Sequence, residues 1–162
     1  MSSKATVINV PQALRQKVGG MPALDATAIA KAEEALKELS SNFDQWLNDE
    51  IAKLEHARAG VHQHGLTVQT AETLYFRAHD LKGLGATYEF PLVTKLAASL
   101  CKLIDTGERR LTAPMKLVDA HIDAIKAVVR DGIRDPEHPV GAALTGELAN
   151  QVAEHVGEPV GE

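Results

Sequence analysis

His79, Asp80, Lys82 and Gly83 fall within little more than one helical turn of each other, and their types suit one kind of chemistry. An exposed imidazole offers a nucleophilic ring nitrogen that can take up a phosphoryl group and give it back. A lysine one turn further on can pair with the phosphoryl oxygens. Phosphoryl transfer needs in-line positioning and charge neutralisation more than covalent help from the protein. Gly83 strips the surface beside the histidine of a side chain, so that an incoming loop can approach within bonding distance. Glycine inside a helix costs about 0.8–1 kcal/mol relative to alanine, so two glycines in one turn, Gly83 and Gly85, ask for close approaches.

The element that must carry these residues is an α-helix. Ala71, Leu74, Ala78, Leu81, Gly85 and Tyr88 recur at spacings of three and four, which is one buried stripe. His79 is off that stripe and shares a face with Glu72, Tyr75, Lys82, Gly83 and Ala86, because each residue advances about 100°. Gly85 sits on the stripe itself, where it reads as permitting close helix packing. Thr67 or Thr70 starts this helix and Thr87 or Tyr88 ends it.

The remaining stripes are scaffold. Asp25 is an expected N-cap for the pattern Ile29, Ala32, Leu36, Leu39, Phe43, Trp46, Leu47, Ile51 and Leu54, which is one long helix or two joined near Ser41. Gly60 to Gly65, with His62 and His64, reads as a loop. Pro91 opens a helix with Leu92, Leu96, Leu100, Leu103 and Ile104 on its stripe, and Gly107 is expected just past its end. Thr112 and Pro114 announce another, striped by Met115, Val118, Ile122, Ile125, Val129 and Ile133 and ended by Pro136 and Pro139. Leu144, Leu148, Val152 and Val156 predict a shorter amphipathic helix. No strand pattern is evident. The expected fold is all-α, an antiparallel up-and-down four-helix bundle over residues 25–134, with an N-terminal extension over 1–24 and a C-terminal, partly helical segment over 135–162.

Composition narrows the function classes. The chain has 162 residues, a net charge of −5 and few aromatics at 4%, which suits one helical domain and argues against a nucleic-acid partner. The single cysteine, Cys101, precludes an internal disulfide and falls on an apolar stripe, as a buried structural thiol does. No apolar run approaches the roughly 18 residues of a membrane span, and no leader pattern opens the chain. The expectation is a cytoplasmic protein with no membrane association.

The string Ala78-His79-Asp80-Leu81-Lys82-Gly83, with Gly85, Ala86 and Tyr88 behind it, resembles the His-x-Leu-Lys-Gly signature of histidine-containing phosphotransfer (HPt) domains. The resemblance covers roughly residues 40–131 in helix order and is specific over the dozen residues around His79. It implies a four-helix bundle that relays phosphoryl groups in two-component signalling, with His79 phosphorylated, Lys82 in an electropositive rim and Gly83 giving access to a receiver domain. The implied partners are response-regulator receiver domains or a hybrid histidine kinase, with Mg²⁺ carried by the receiver and no cofactor on this chain. Two positions depart from the pattern: many HPt domains carry a glycine where this chain has Glu89, and Leu84 replaces a residue that is often small.

Two other readings share the sequence. His79-Asp80 is the doublet of metal-dependent phosphohydrolases of the HD superfamily, for which His56, His62 or His64 would be the first ligand and Asp119 or Asp123 the last. Lys82 and Gly83 then put a cation and bare backbone where a metal wants acceptors. The other reading is a helical interaction module that is never phosphorylated. The chain contains neither a P-loop nor a glycine-rich nucleotide lid, so a carrier rather than an ATP-dependent enzyme is expected.

Overall fold

The computed structural model describes residues 22–157, and every regular element among them is helical. In chain order these are α1 (Pro22–His64), α2 (Val68–Gly85), α3 (Pro91–Leu103), α4 (Gly107–Thr112), α5 (Met115–Arg130) and α6 (Pro139–Val156). Most of the N-terminal extension expected over 1–24, and the last five residues, lie outside the described range. The chain divides into two units, Met1–Asn42 and Phe43–Glu162, and the candidate residues His79, Lys82 and Gly83 belong to the second.

In the second unit the stripes meet as their periodicity demands. Leu47, Leu54, Leu74, Leu81, Leu92, Leu96, Leu100, Ile122 and Ile125 are all buried in one core. α2 packs on α3, α3 packs on α5 and α6, and the short α4 lies against α2. Leu148 and Val152 of α6 join the same core, so the C-terminal segment is part of this unit. Where α6 crosses α3, a Cβ on Gly141 would stand 2.6 Å from a Leu92 methyl. Ion pairs stitch α1 to α5: Arg58 reaches Asp123 at 2.8 Å, and Lys126 reaches Glu55 at 2.7 Å.

Several boundaries differ from the sequence expectation, each for a local reason. α1 is one helix that starts at Pro22, which leaves Asp25 in its first turn, where a carboxylate still meets the positive end of the helix dipole. It also runs through Gly60 to His64, because Val61 is buried and continues the stripe. The loop shrinks to the residues around Gly65, whose φ is 81°, and His62 and His64 are helical. Gly107 does not follow α3 as a cap. It opens α4, whose N-terminus is capped by Thr106 Oγ1 accepting from Arg109 N–H at 3.1 Å. α5 stops at Arg130, before Gly132 (φ 66°) and short of both prolines, and Pro139 begins α6, where its missing N–H costs nothing.

The exit from α2 is a Schellman closure. Phe90 N–H donates to Gly85 O at 2.9 Å and Glu89 N–H to Ala86 O at 3.2 Å, while Tyr88 N–H still makes a helical bond to Leu84 O. Glu89 occupies the left-handed position of this motif, at φ 64°, a place usually held by glycine. Phe90, next in the motif, is buried in the core.

Candidate functional site

α2 is held at both ends and along one side. Thr67 and Thr70 form a reciprocal capping box: Thr67 Oγ1 accepts from Thr70 N–H at 3.1 Å and Thr70 Oγ1 accepts from Thr67 N–H at 2.9 Å. Such a cap contributes about 1 kcal/mol. Ala71, Leu74, Ala78, Leu81 and Gly85 are the buried residues of the helix, which fixes its rotation about its own axis. His79, Lys82 and Gly83 are consequently exposed together.

The two glycines of the turn have different jobs. A Cβ on Gly85 would come within 2.7 Å of Thr94 N in α3, so this glycine lets the two helices approach. A Cβ on Gly83 would meet nothing within 4 Å, and the fold gains no packing from its absence. Gly60 and Gly146 are open in the same way. Gly60 also lies one turn from exposed histidines, His56 and His64, so what sets Gly83 apart is Lys82 beside it on the face of His79.

His79 lines a shallow depression with Glu50, Lys53, Arg77, Asp80 and Gly83. Lys53 is tied to Glu50 at 2.8 Å. On the other side the imidazole lies near the Tyr75 ring, with centroids 5.9 Å apart. The guanidinium of Arg110, from α4, caps that ring at 4.0 Å, a distance suited to a cation–π contact. Arg110 Nε also donates to Ile104 O at 2.9 Å, so the loop after α3 holds it in place. Phe76, three residues before His79 and 54% exposed, adds an apolar surface beside the imidazole. The surroundings of His79 thus combine cations (Lys53, Arg77) with carboxylates (Glu50, Asp80), a bare stretch of helix backbone and an exposed aromatic ring.

Sequence reasoning selected His79, Lys82 and Gly83 and placed Tyr75 on the same face. It missed Lys53, Arg77, Phe76 and Arg110. Phe76 was within reach of helical spacing from His79, whereas Arg77, two residues away, is about 200° round the helix, and Arg110 stands on a separate helix and left no local signal.

The ligand set of the HD reading is not assembled. Arg58 engages Asp123 at 2.8 Å and lies 3.6 Å from Asp119, and His62 Nε2 sits 2.9 Å from Asp119. The same arginine grips Glu55 through two hydrogen bonds of 2.6 Å, and holds that carboxyl well below its usual range, at about 2, despite partial burial. Among the described residues no group of three or more His, Cys, Asp or Glu side chains could hold a metal ion. Cys101 is buried, and burial pushes its thiol up to about 11 against the opposing pull of Lys82 and Arg110, which makes it a poor nucleophile.

A second histidine has the opposite character. His121 of α5 is 0% exposed. Its Nδ1 lies 2.7 Å from Leu117 O and its Nε2 2.8 Å from Ser99 Oγ. A carbonyl can only accept, so Nδ1 carries the proton and Nε2 accepts from the serine hydroxyl. Burial lowers its proton affinity, which fits a neutral, structural ring.

No family model, curated protein or solved structure matches the chain. No helix among the described residues is long and apolar enough to cross a membrane.

Proposed function

We propose that this chain is a histidine phosphotransfer protein, a phosphoryl carrier in two-component signalling. A ring nitrogen of His79 attacks the phosphorus of an aspartyl phosphate on a receiver domain. The N–P bond forms as the acyl-phosphate P–O bond breaks, the aspartate leaves as a carboxylate, and the reverse reaction passes the group to a second receiver or returns it within a hybrid histidine kinase. The receiver brings its own Mg²⁺ and acceptor carboxylate. Lys82 neutralises phosphoryl oxygens, and Phe76 with the bare backbone at Gly83 gives the receiver a place to dock.

The observation that carries this reading is the exposure of His79 one turn from Gly83, an open glycine on an otherwise regular helix. The turn at Glu89 adds to it. HPt domains often have glycine there, and here the backbone takes the left-handed conformation that favours glycine, although the residue is glutamate. In this proposal the second half of α1 with α2, α3 and α5 makes the up-and-down four-helix bundle, α6 covers it, and the protein works in the cytoplasm.

The test is incubation with receiver domains phosphorylated on aspartate. Acid-labile, base-stable phosphate on the wild-type chain, absent from His79→Gln, is expected. A folded protein that takes up no phosphate from any receiver of a full panel overturns the proposal. Incubation with Mg-ATP alone is expected to leave the protein unlabelled.

A further inference from the structure

Arg110 is a cation that the fold fixes in place without giving it a counter-ion. It is half-buried on α4, where its Nε donates to Ile104 O at 2.9 Å and its Nη2 to Asp105 O at 3.4 Å. Both acceptors are main-chain carbonyls, which orient a guanidinium but leave its charge whole. Its third nitrogen, Nη1, has no partner among the described residues. Nearby cations are committed: Arg109, next in the chain, reaches Asp105 at 3.0 Å, and Lys53 reaches Glu50 at 2.8 Å. A guanidinium keeps its charge at any physiological pH. Taking it partly out of water with no opposite charge costs free energy that a cation–π contact offsets only in part. Such a side chain is arranged for an anion that arrives later.

The place of that anion follows from what Arg110 touches. The Tyr75 ring that it covers at 4.0 Å is itself 5.9 Å from the imidazole of His79, so guanidinium and imidazole are no farther apart than those two spacings laid end to end. At about 100° per residue, Lys82 and Tyr75 fall to one side of His79 and Gly83 to the other. Lys82 and Arg110 also both act on the Cys101 thiol, against the larger effect of its burial, which puts the two cations within electrostatic reach of one atom. Gly83 instead opens on the depression that α2 shares with Glu50 and Lys53 of α1.

We infer that Arg110 is a second cation for the phosphoryl group of His79, forming with Lys82 a positive flank on the α4 side of the imidazole and leaving the Gly83 side to the receiver. The inference rests on the phosphotransfer reading for its ligand. A positive flank favours the phosphoryl dianion over the monoanion. Arg110 therefore raises the share of the doubly charged form and stabilises the phosphorylated chain, without taking part in bond making.

The test loads the full chain with phosphoramidate, a small donor that needs no receiver: its N–P bond breaks, ammonia leaves and the phosphoryl group passes to a histidine nitrogen. Phosphorus NMR then follows the second ionisation of the phosphohistidine with pH, and the signal missing from His79→Gln identifies the one on His79. The wild-type midpoint is expected below that of free phosphohistidine. Arg110→Gln is expected to raise it by roughly 0.5 pH unit, about threefold in proton affinity, Arg110→Lys to recover most of that shift, and added salt to shrink it. Arg109→Gln removes the same charge from the carboxylate-paired neighbour and is expected to move the midpoint far less. A wild-type midpoint no lower than that of free phosphohistidine overturns the inference. So does an Arg110→Gln variant that keeps its helicity and titrates like the wild type, an Arg109→Gln shift as large as that of Arg110→Gln, or a His79 that phosphoramidate does not load. A chain that shows the Arg110 shift but takes nothing from any receiver keeps the anion site and loses the relay.

Discussion

Replacing Glu89 by glycine should stabilise the protein, even though the change removes a side chain and loosens the unfolded chain. Glu89 closes the Schellman turn after α2 at φ 64°, where a side chain bearing a Cβ costs roughly 1–2 kcal/mol in clash with its own carbonyl. Glycine escapes that cost but forfeits about 0.5–1 kcal/mol through the larger freedom of its unfolded chain. At the middle of both ranges the difference is a gain of about 0.7 kcal/mol. The side chain of Glu89 is exposed, and the two hydrogen bonds of the turn use backbone atoms, so neither is lost. Urea unfolding should show a higher midpoint at unchanged m-value, and the melting temperature should rise by about 2–6 °C. Two companions isolate the cause. Glu89→Gln keeps the strain and removes the charge, and should match the wild type within about 0.5 kcal/mol. Glu89→Val puts a β-branched residue in the left-handed region and should be less stable than the wild type. If the glycine variant is no more stable, or if the glutamine variant reproduces its gain, backbone strain is not what Glu89 contributes.

Other substitutions separate access, packing and protonation. Gly83→Leu should stabilise α2 by up to about 1 kcal/mol while blocking phosphoryl uptake from a receiver, and unimpaired transfer would discredit the close approach. Lys82→Ala should slow the same transfer without lowering the melting temperature, because Lys82 is exposed; a large loss of stability would mean that the lysine serves the fold. Gly85→Ala should destabilise by about 1–3 kcal/mol through overpacking, since its Cβ would press on the backbone of Thr94 at 2.7 Å, and calorimetry reads this directly. His121 has its folded pKa lowered by burial, so the unfolded state binds the proton first. Stability is therefore full above the ordinary histidine value near 6.5 and falls as pH drops below it, at up to about 1.4 kcal/mol per pH unit. A His121→Leu variant whose stability shows the same slope between pH 6.5 and 5 would assign that dependence to another group.

The rotation of α2 was legible because its apolar positions are unambiguous. Once Ala71, Leu74, Ala78, Leu81 and Gly85 are buried, His79, Lys82 and Gly83 have no direction left but outward. Helix ends were less legible, because each depends on a balance of small terms. Gly60 resembles a terminator, but the burial of Val61 beyond it outweighs a penalty of about 1 kcal/mol. Gly107 resembles a C-cap, but the hydroxyl of Thr106 turns the same stretch into a helix start. His121 fits the period of α5 at three residues after Val118 and four before Ile125, and was hidden only by its polarity; Ser99 and the Leu117 carbonyl satisfy both of its nitrogens and make it a core residue.

The division between what the helix dictates and what the tertiary structure adds also bears on the chemistry. Helical spacing brings His79, Lys82, Gly83 and Tyr75 to one face, and a single peptide helix with this sequence would do as much. Tertiary structure adds Arg110, carried on α4 and fixed over Tyr75 by a hydrogen bond to the Ile104 carbonyl, and the Lys53–Glu50 pair, which α1 brings to the depression that His79 lines. A phosphoryl group on His79 would bring about two negative charges to a surface of mixed sign, where Lys53 and Arg77 stand among Glu50 and Asp80, while the position at Gly83 stays open. Charge compensation therefore draws on Lys82 of the same helix and on cations that the assembled fold delivers, whereas access depends on the helix alone. A variant that unfolds α4 should then retain docking at Gly83 and lose part of the electrostatic support, whereas bulk at Gly83 should do the reverse.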